Sequence, residues 1–223
     1  MNTIEDEILT SPNTLERRKY SLKVHRLSNP CVAVIDDFLP ADVCDELVQD
    51  IENGPGEWTR ATVVGDKGSS EEHHARTNWS KGLGYQSVAA RKFLQYASKL
   101  VNLHPAQAES LSCIKYEIGQ KYDPHHDSFT LETLKENTPE AGNRIATALL
   151  YLETPQEGGA TDFPRMNISI EAKKNRCVFF SNSHMGTDIK LEESFHGAEP
   201  VMRGEKMAVN LWFRQSVYQK DEH

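Results

Sequence analysis

The chain has 223 residues, enough for one domain with its own core and no disulfide or zinc support. A formal charge of −8 argues against non-specific nucleic-acid binding, which needs basic surface, and no apolar run approaches the roughly 20 residues that span a membrane. The 38% hydrophobic and 26% charged content suits a well-solvated globular protein, and the opening MNTIEDEILT lacks the basic start and apolar run of a secretory signal, so a cytoplasmic location is expected.

Residues 1–28 are polar and charged and are expected to form an N-terminal arm, with Asn13 to Lys19 as a capped helix or a loose segment. Cys31–Ile35 is apolar without alternation, the pattern of a buried strand. In Ala41–Glu52 the residues Val43, Leu47, Val48 and Ile51 share one helical face, and Asn53-Gly-Pro-Gly ends the helix. Arg60–Val64 and Arg76–Trp79 are expected as two short strands joined by a polar, glycine-bearing loop, which makes residues 64–78 a candidate flexible lid. A second helix is expected over 86–103, with Val88, Phe93, Leu94, Ala97, Leu100 and Val101 as its apolar stripe.

From residue 111 the pattern turns to strands: Leu111–Ile118, Ile145–Leu152, Ala160–Phe163, Asn167–Ile170, Cys177–Ser181 and Glu205–Arg214, separated by turn signals such as Pro155–Gly159 and Arg203-Gly204. Helices first and short strands afterwards indicate an α+β chain whose second half is a sandwich or barrel. The cysteines Cys31, Cys44, Cys113 and Cys177 stand singly, with no C-x-x-C pair, and Cys113 and Cys177 lie in apolar runs where buried free thiols are expected.

Chemistry concentrates in Tyr116-Glu-Ile-Gly-Gln-Lys-Tyr-Asp-Pro-His-His-Asp. On an extended chain His125 and Asp127 point to the same face and can reach one ion, while His126 points the other way. A lone His-x-Asp is common on protein surfaces, and two such groups need a third. His196 follows 69 positions after Asp127, and Lys206 ten positions after that, opening the apolar strand Met207–Phe213. A lysine entering a buried strand calls for an anionic partner, and a dicarboxylate would serve. Two histidines and one carboxylate on one face leave three coordination positions open, the arrangement of non-haem iron(II) oxygenases.

These blocks resemble the prolyl 4-hydroxylases among the 2-oxoglutarate- and iron(II)-dependent dioxygenases. The family run Tyr-x-x-Gly-Gln-x-Tyr-x-Pro-His-x-Asp is complete from Tyr116 to Asp127. Its arginine-led strand matches Arg144-Ile-Ala-Thr-Ala-Leu-Leu-Tyr-Leu, and its Glu-Gly-Gly-Glu-Thr-x-Phe-Pro matches Glu157-Gly-Gly-Ala-Thr-Asp-Phe-Pro. Its distal histidine block matches His196-Gly-Ala-Glu-Pro-Val, followed by Arg203-Gly-Glu-Lys206. The likeness spans roughly residues 30–215 in unbroken order.

The resemblance implies a double-stranded β-helix (a jelly-roll-like core) over 111–216, supported by the helices of 29–110. It implies iron(II) held by His125, Asp127 and His196, and 2-oxoglutarate held by Lys206 with Tyr116 and Thr161. It places Tyr122, Arg144 and Trp212 around the substrate proline, with Arg76 and Thr77 in the lid. Dioxygen is the other co-substrate, ascorbate a candidate reductant, and a proline-containing peptide the expected partner; monomer and homodimer are both compatible. The expected reaction hydroxylates peptidyl proline at C4 and releases succinate and carbon dioxide. The alternatives are the same chemistry on a free amino acid or another side chain, and a non-catalytic module that binds proline peptides. Ala160, Glu199 and Met207 depart from the family's usual glutamate, cysteine and tryptophan, which bears on substrate choice rather than on the metal. His73 and His74 are expected to be solvated, His126 to pack, and His184 to be excluded as distal ligand by its spacing to Lys206. Gly158-Gly159 is expected as a tight turn.

Overall fold

The computed structural model describes residues 5–8, 23–26, 32–64, 70, 71, 74–136, 139–184, 187 and 189–218. The strands of the N-terminal half are β1 (Glu5–Ile8), β2 (Lys23–Arg26), β3 (Val32–Asp36), β4 (Thr59–Arg60), β5 (Val63–Val64), β6 (Ser70–Glu71) and β7 (Trp79–Leu83), with helices α1 (Ala41–Asn53) and α2 (Val88–Val101) between them. Then follow β8 (Leu111–Tyr116), β9 (Tyr122–His125), α3 (Leu131–Glu136), β10 (Arg144–Tyr151), β11 (Glu157–Gly158), β12 (Thr161–Phe163), β13 (Ile168–Ile170), β14 (Cys177–Ser181), β15 (His196–Ala198), β16 (Val201–Arg203) and β17 (Lys206–Arg214).

Nine strands pair antiparallel in the order β1-β2-β3-β14-β10-β17-β8-β7-β4, and β13-β12-β15-β9 form a second sheet facing the first. The two sheets make the double-stranded β-helix that the motifs implied. β10 and β17 lie side by side at the centre of the large sheet, and period-2 alternation divides their side chains between two cores. Ala146, Ala148, Leu150, Met207, Val209, Leu211 and Phe213 pack against α1 and α2. Leu149, Tyr151 and Ala208 face the other way, into the space between the sheets, with Phe163, Phe180 and Ile170. Burial on both faces explains why these strands read as nearly continuous apolar runs.

A side chain satisfies one end of each long helix. Ser87 accepts a 2.9 Å bond from the Ala90 N–H at the start of α2, and Asn102 closes it in the left-handed region at φ 54°. Buried Lys81 donates to the carbonyls of Ile51 and Gly54 at 2.8 and 2.9 Å, satisfying the orphan end of α1. The buried face of α2 is Ala89, Ala90, Phe93, Leu94 and Ala97. Val88 and Leu100, expected in that stripe, are exposed, because they sit at its margin where the helix turns away from the sheet.

Strands β1 and β2 extend the sheet beyond β3 within the segment expected as an arm, covering backbone groups that β3 would otherwise present at an edge. The Asn13–Lys19 segment, Cys31, His73 and most of the 65–73 loop lie outside the described residues. Instead of one strand, Arg60–Val64 holds two short ones: β4 joins the large sheet through β7, and β5 pairs with β6. Cys44, Cys113 and Cys177 are buried free thiols. No described helix is long and apolar enough to cross a membrane.

At the end of β3, buried Asp36 accepts from Arg176 at 2.6 and 3.2 Å and from Lys173 at 2.9 Å. Burial alone would raise its carboxyl, but the two cations outweigh it and bring the pKa from 3.8 to about 2. A carboxylate depressed in the folded state stabilises above its unfolded pKa and loses that contribution as pH falls through the folded one. Asp36→Asn is therefore expected to cost up to about 2 kcal/mol at pH 7. The gap to wild type should close by pH 2, as urea unfolding across that range would show.

Candidate active site

The space between the sheets opens into a cavity of about 590 Å³, lined among others by His125, Asp127, His196, Lys206, Arg144 and Trp212. β9 and β15 bring the histidines together, since His196 is the register partner of His125. The rings lie 4.5 Å apart. Asp127, just beyond β9, sets Oδ1 3.5 Å from His125 Nε2 and Oδ2 3.9 Å from His196 Nε2. The three donor atoms lie within 4.8 Å of one another, a group that could hold a metal ion.

Local hydrogen bonds orient each donor. His125 Nδ1 meets the Asp123 carbonyl at 3.0 Å, and His196 Nδ1 meets that of Ser194 at 2.8 Å. A proton on each Nδ1 leaves Nε2 with its lone pair toward the common point. Burial lowers His196 to about 4, so that ring is neutral at physiological pH and able to ligate. Burial by itself would raise Asp127, but the imidazoles of His196 and His125 hold it far below the usual carboxylate range. Thr147 Oγ1 donates to Asp127 Oδ2 at 2.6 Å and itself accepts from Asn182 Nδ2 at 2.8 Å. An ion liganded by two neutral imidazoles and a carboxylate would keep other positions open, so the donor set suits non-haem iron(II).

Gly197, between His196 and Ala198, sits directly against the backbone of β9. A Cβ there would lie 2.9 Å from the Tyr122 carbonyl oxygen and 3.1 Å from Pro124 N. Backbone atoms cannot rotate aside, so Gly197→Ala must push His196 away from His125. Expected are a loss of about 1–3 kcal/mol and weaker retention of iron(II), read by thermal melts with and without the metal.

Lys206 lies deeper, 1% exposed, with Nζ 5.0 Å from the centre of the Tyr116 ring and 5.3 Å from that of Tyr151. No carboxylate forms a salt bridge with it among the described residues. Burial draws it down to about 7, with the charge of exposed Glu199 pulling the other way. Thr161, also on the cavity wall, accepts from Tyr151 Oη at 2.6 Å. The cavity thus ends in a half-neutral cation with hydroxyls nearby.

Further along the same face of β17 the cavity is aromatic and cationic. Arg144 lies over Trp212 at 3.7 Å, with Phe129 at 4.7 Å. Alternation back from Thr147 would turn Arg144 toward the helices with Ala146, but the register slips between Arg144 and Ala146, and this bulge returns it to the cavity. Tyr122 stacks on His125 at 3.6 Å, and Arg76 covers Tyr122 at 4.6 Å. Arg76, expected in a flexible lid, is tied to Asn78 Oδ1 at 3.1 Å and to the Thr62 carbonyl at 2.9 Å. Thr77 bonds Lys121 through backbone and side chain, which pins this end of the loop to the run leading into β9. His126 meets Ser194 Oγ at 3.3 Å on the rim, while His74 and His184 are exposed.

The groups that sequence reasoning missed are Thr147, Asn182, Tyr151 and Glu109. A tyrosine inside the apolar run of β10 was a readable signal for one of them. The others contact the site only through long-range pairing.

Residues 111–214 match the family model of the 2OG-Fe(II) oxygenase superfamily. The chain is 30% identical over 189 residues to prolyl 4-hydroxylase subunit alpha-3 of Mus musculus, which covers 83% of this chain and 34% of the relative. It thus spans about a third of that relative's length. Prolyl 4-hydroxylase 5 of Arabidopsis thaliana is 30% identical over 207 residues, covering 82% of this chain and 68% of the relative. The viral collagen prolyl hydroxylase of Paramecium Bursaria Chlorella virus-1, solved as a 2OG complex, superposes with a TM-score of 0.63 at 24% identity, over 82% of this chain and 94% of its own. A prolyl hydroxylase from Trichoplax adhaerens, solved with a hypoxia inducible factor peptide, gives 0.60 at 16% identity, over 82% of this chain and 83% of its own. With the triad, the buried lysine and two relatives at this identity, one of them matched over more than two thirds of its length, the chain belongs to the prolyl 4-hydroxylase family of 2-oxoglutarate- and iron(II)-dependent oxygenases.

Proposed function

We propose that the chain hydroxylates peptidyl proline at C4, consuming 2-oxoglutarate and dioxygen and releasing succinate and carbon dioxide. The observation that carries this reading is one cavity holding both a His-Asp-His triad and a buried lysine without a carboxylate partner among the described residues. Such a lysine is costly unless an anion meets it, and the dicarboxylate co-substrate brings two carboxylates on one small molecule. Residues 111–216 act as the catalytic core in this reading, 29–110 as its support and 64–78 as a cover over the peptide.

His125, Asp127 and His196 would hold iron(II), which when bound supplies the site for oxygen activation. Thr147 occupies Oδ2 of Asp127, leaving Oδ1 as the freer ligand atom. Lys206 would receive the far carboxylate of 2-oxoglutarate, with Tyr116 and Thr161 beside it, so that the near end reaches the metal. Tyr122, Arg144 and Trp212 would bind the proline-bearing segment, and the Arg76 guanidinium over Tyr122 holds that ring against His125. The enclosing walls exclude water from the oxidant. The acidic balance of the chain favours a peptide over nucleic acid as substrate.

The test combines anaerobically prepared protein, iron(II), 2-oxoglutarate and proline-rich peptides, then admits oxygen and follows succinate and peptide mass. Peptide-stimulated succinate with one oxygen gained on proline, absent in His125→Ala, is expected. Succinate with no modified peptide would refute the substrate and keep the oxygenase. Bound iron without any succinate would point to a binding module.

A further inference from the structure

Glu109 lies on no motif, yet it organises the part of the cavity wall formed by Arg144 and Trp212. Its carboxylate takes two bonds from one guanidinium: Arg144 Nε reaches Oε1 and Nη2 reaches Oε2, each at 2.8 Å. Arg214 Nη1 adds a third contact to Oε1 at 2.9 Å. Burial would raise the Glu109 carboxyl, but the two guanidiniums outweigh it and hold it below its ordinary value, so it is ionised. Its backbone is fastened too, by Glu109 N–H to the Trp212 carbonyl at 2.9 Å and by Tyr85 Oη to the Glu109 carbonyl at 2.5 Å. Glu109 is thus tied to the same residue whose ring carries Arg144.

The consequence is a guanidinium with one edge locked by a bidentate pair and one face flat on an indole. Its bonds to Glu109 use Nε and Nη2, and no hydrogen bond from Nη1 is formed among the described residues; the Trp212 Nε1 donor, by contrast, is buried. A proline offers no N–H of its own, so the polar backbone groups next to its ring are carbonyls, and a donor is what this wall has left.

Resting on the function proposed above, we infer that Glu109 is a positioning residue for substrate: it fixes Arg144 on Trp212 so that the remaining guanidinium donor meets a carbonyl beside the proline. Glu109 itself is not among the residues that line the cavity. Without it Arg144 is free to turn toward Asp127, whose charge already attracts it.

Two readouts test this, and one needs no substrate. In a Trp58→Phe, Trp79→Phe background Trp212 is the only indole left, and its acrylamide quenching reports whether Arg144 still covers it. Glu109→Gln is expected to raise that quenching at least about twofold. It should raise the peptide KM roughly tenfold to hundredfold, as for loss of one or two bonds to a charged group, with the 2-oxoglutarate KM within about twofold. Glu109→Asp keeps the charge but is shorter by one methylene, so intermediate values are expected; it serves alone if circular dichroism shows Glu109→Gln unfolded. Unchanged Trp212 quenching would overturn the inference, as would peptide and co-substrate KM values rising together. A wild type that oxidises no proline peptide would refute the substrate reading, and the quenching result would still decide whether Glu109 holds Arg144.

Discussion

Lys206→Met is expected to abolish 2-oxoglutarate turnover and at the same time to stabilise the protein without co-substrate. Breaking a buried charge pair by removing one partner costs about 3–5 kcal/mol, a factor on the order of 10²–10³ or more in co-substrate affinity. In the free protein the account reverses, because the lysine is 1% exposed and lacks a carboxylate partner among the described residues. Its pKa falls from 10.5 to about 7 on folding. A base depressed in the folded state imposes a penalty that is full below the folded pKa and vanishes by the unfolded one, amounting to about 4 kcal/mol near neutral pH. Methionine fills a similar volume without that penalty, so a gain of about 1–4 kcal/mol is expected. The gain should be largest below pH 7 and shrink as pH rises toward 10.5, because wild type alone gains stability over that range. Thermal melts across pH, with and without 2-oxoglutarate, separate the effects: co-substrate should raise the wild-type melting temperature and leave the variant unmoved. Co-substrate affinity of the wild type should itself weaken above pH 7, because binding must then recapture the lysine's proton. A variant that melts earlier than wild type and still binds 2-oxoglutarate would remove Lys206 from the site.

Which parts of this could be read beforehand follows from how far each signal reaches along the chain. The spacing of His125 and Asp127 was legible because strand geometry is local, and two residues apart means one face. Lys206 was legible as a charge at the head of an apolar strand. The β15 strand was not, since three residues, two of them His196 and Gly197, carry no period to detect. Arg144 reaches the cavity through a bulge, and a one-residue slip leaves no mark in the hydrophobic pattern. Thr147 is a β-branched residue inside a strand, where threonine is ordinary, and only its 2.6 Å bond to a carboxylate 20 positions earlier distinguishes it. Glu109 is the extreme case: its partners stand 35 and 105 positions away, and nothing near it in sequence announces them. The helix stripe erred at its margins, where Val88 and Leu100 have the right spacing but face outward.

Asp127→Asn should remove the metal while leaving the fold. The side chain keeps its shape, and the amide oxygen can still accept from Thr147 Oγ1, so the chain from Asn182 through Thr147 survives. What disappears is the negative charge facing two imidazole nitrogens at 3.5 and 3.9 Å. A hard divalent ion draws most of its binding energy in such a site from the carboxylate. Altering a group that merely orients a ligand costs 10–100-fold in affinity, so losing the anionic ligand itself should cost about 100-fold or more. Equilibrium dialysis against iron(II) would read this directly. The same variant should leave the metal-free melting temperature within a few degrees of wild type, since the protein loses a buried charge along with its interactions with His125 and His196. Thr147→Val gives the complementary case: it keeps the charge, strips the hydrogen bond from Oδ2 and should weaken iron(II) by the smaller, roughly 10–100-fold amount. Equal losses in the two variants would mean that orientation of Asp127, rather than its charge, holds the ion. Iron retained undiminished in Asp127→Asn would place the metal on other residues.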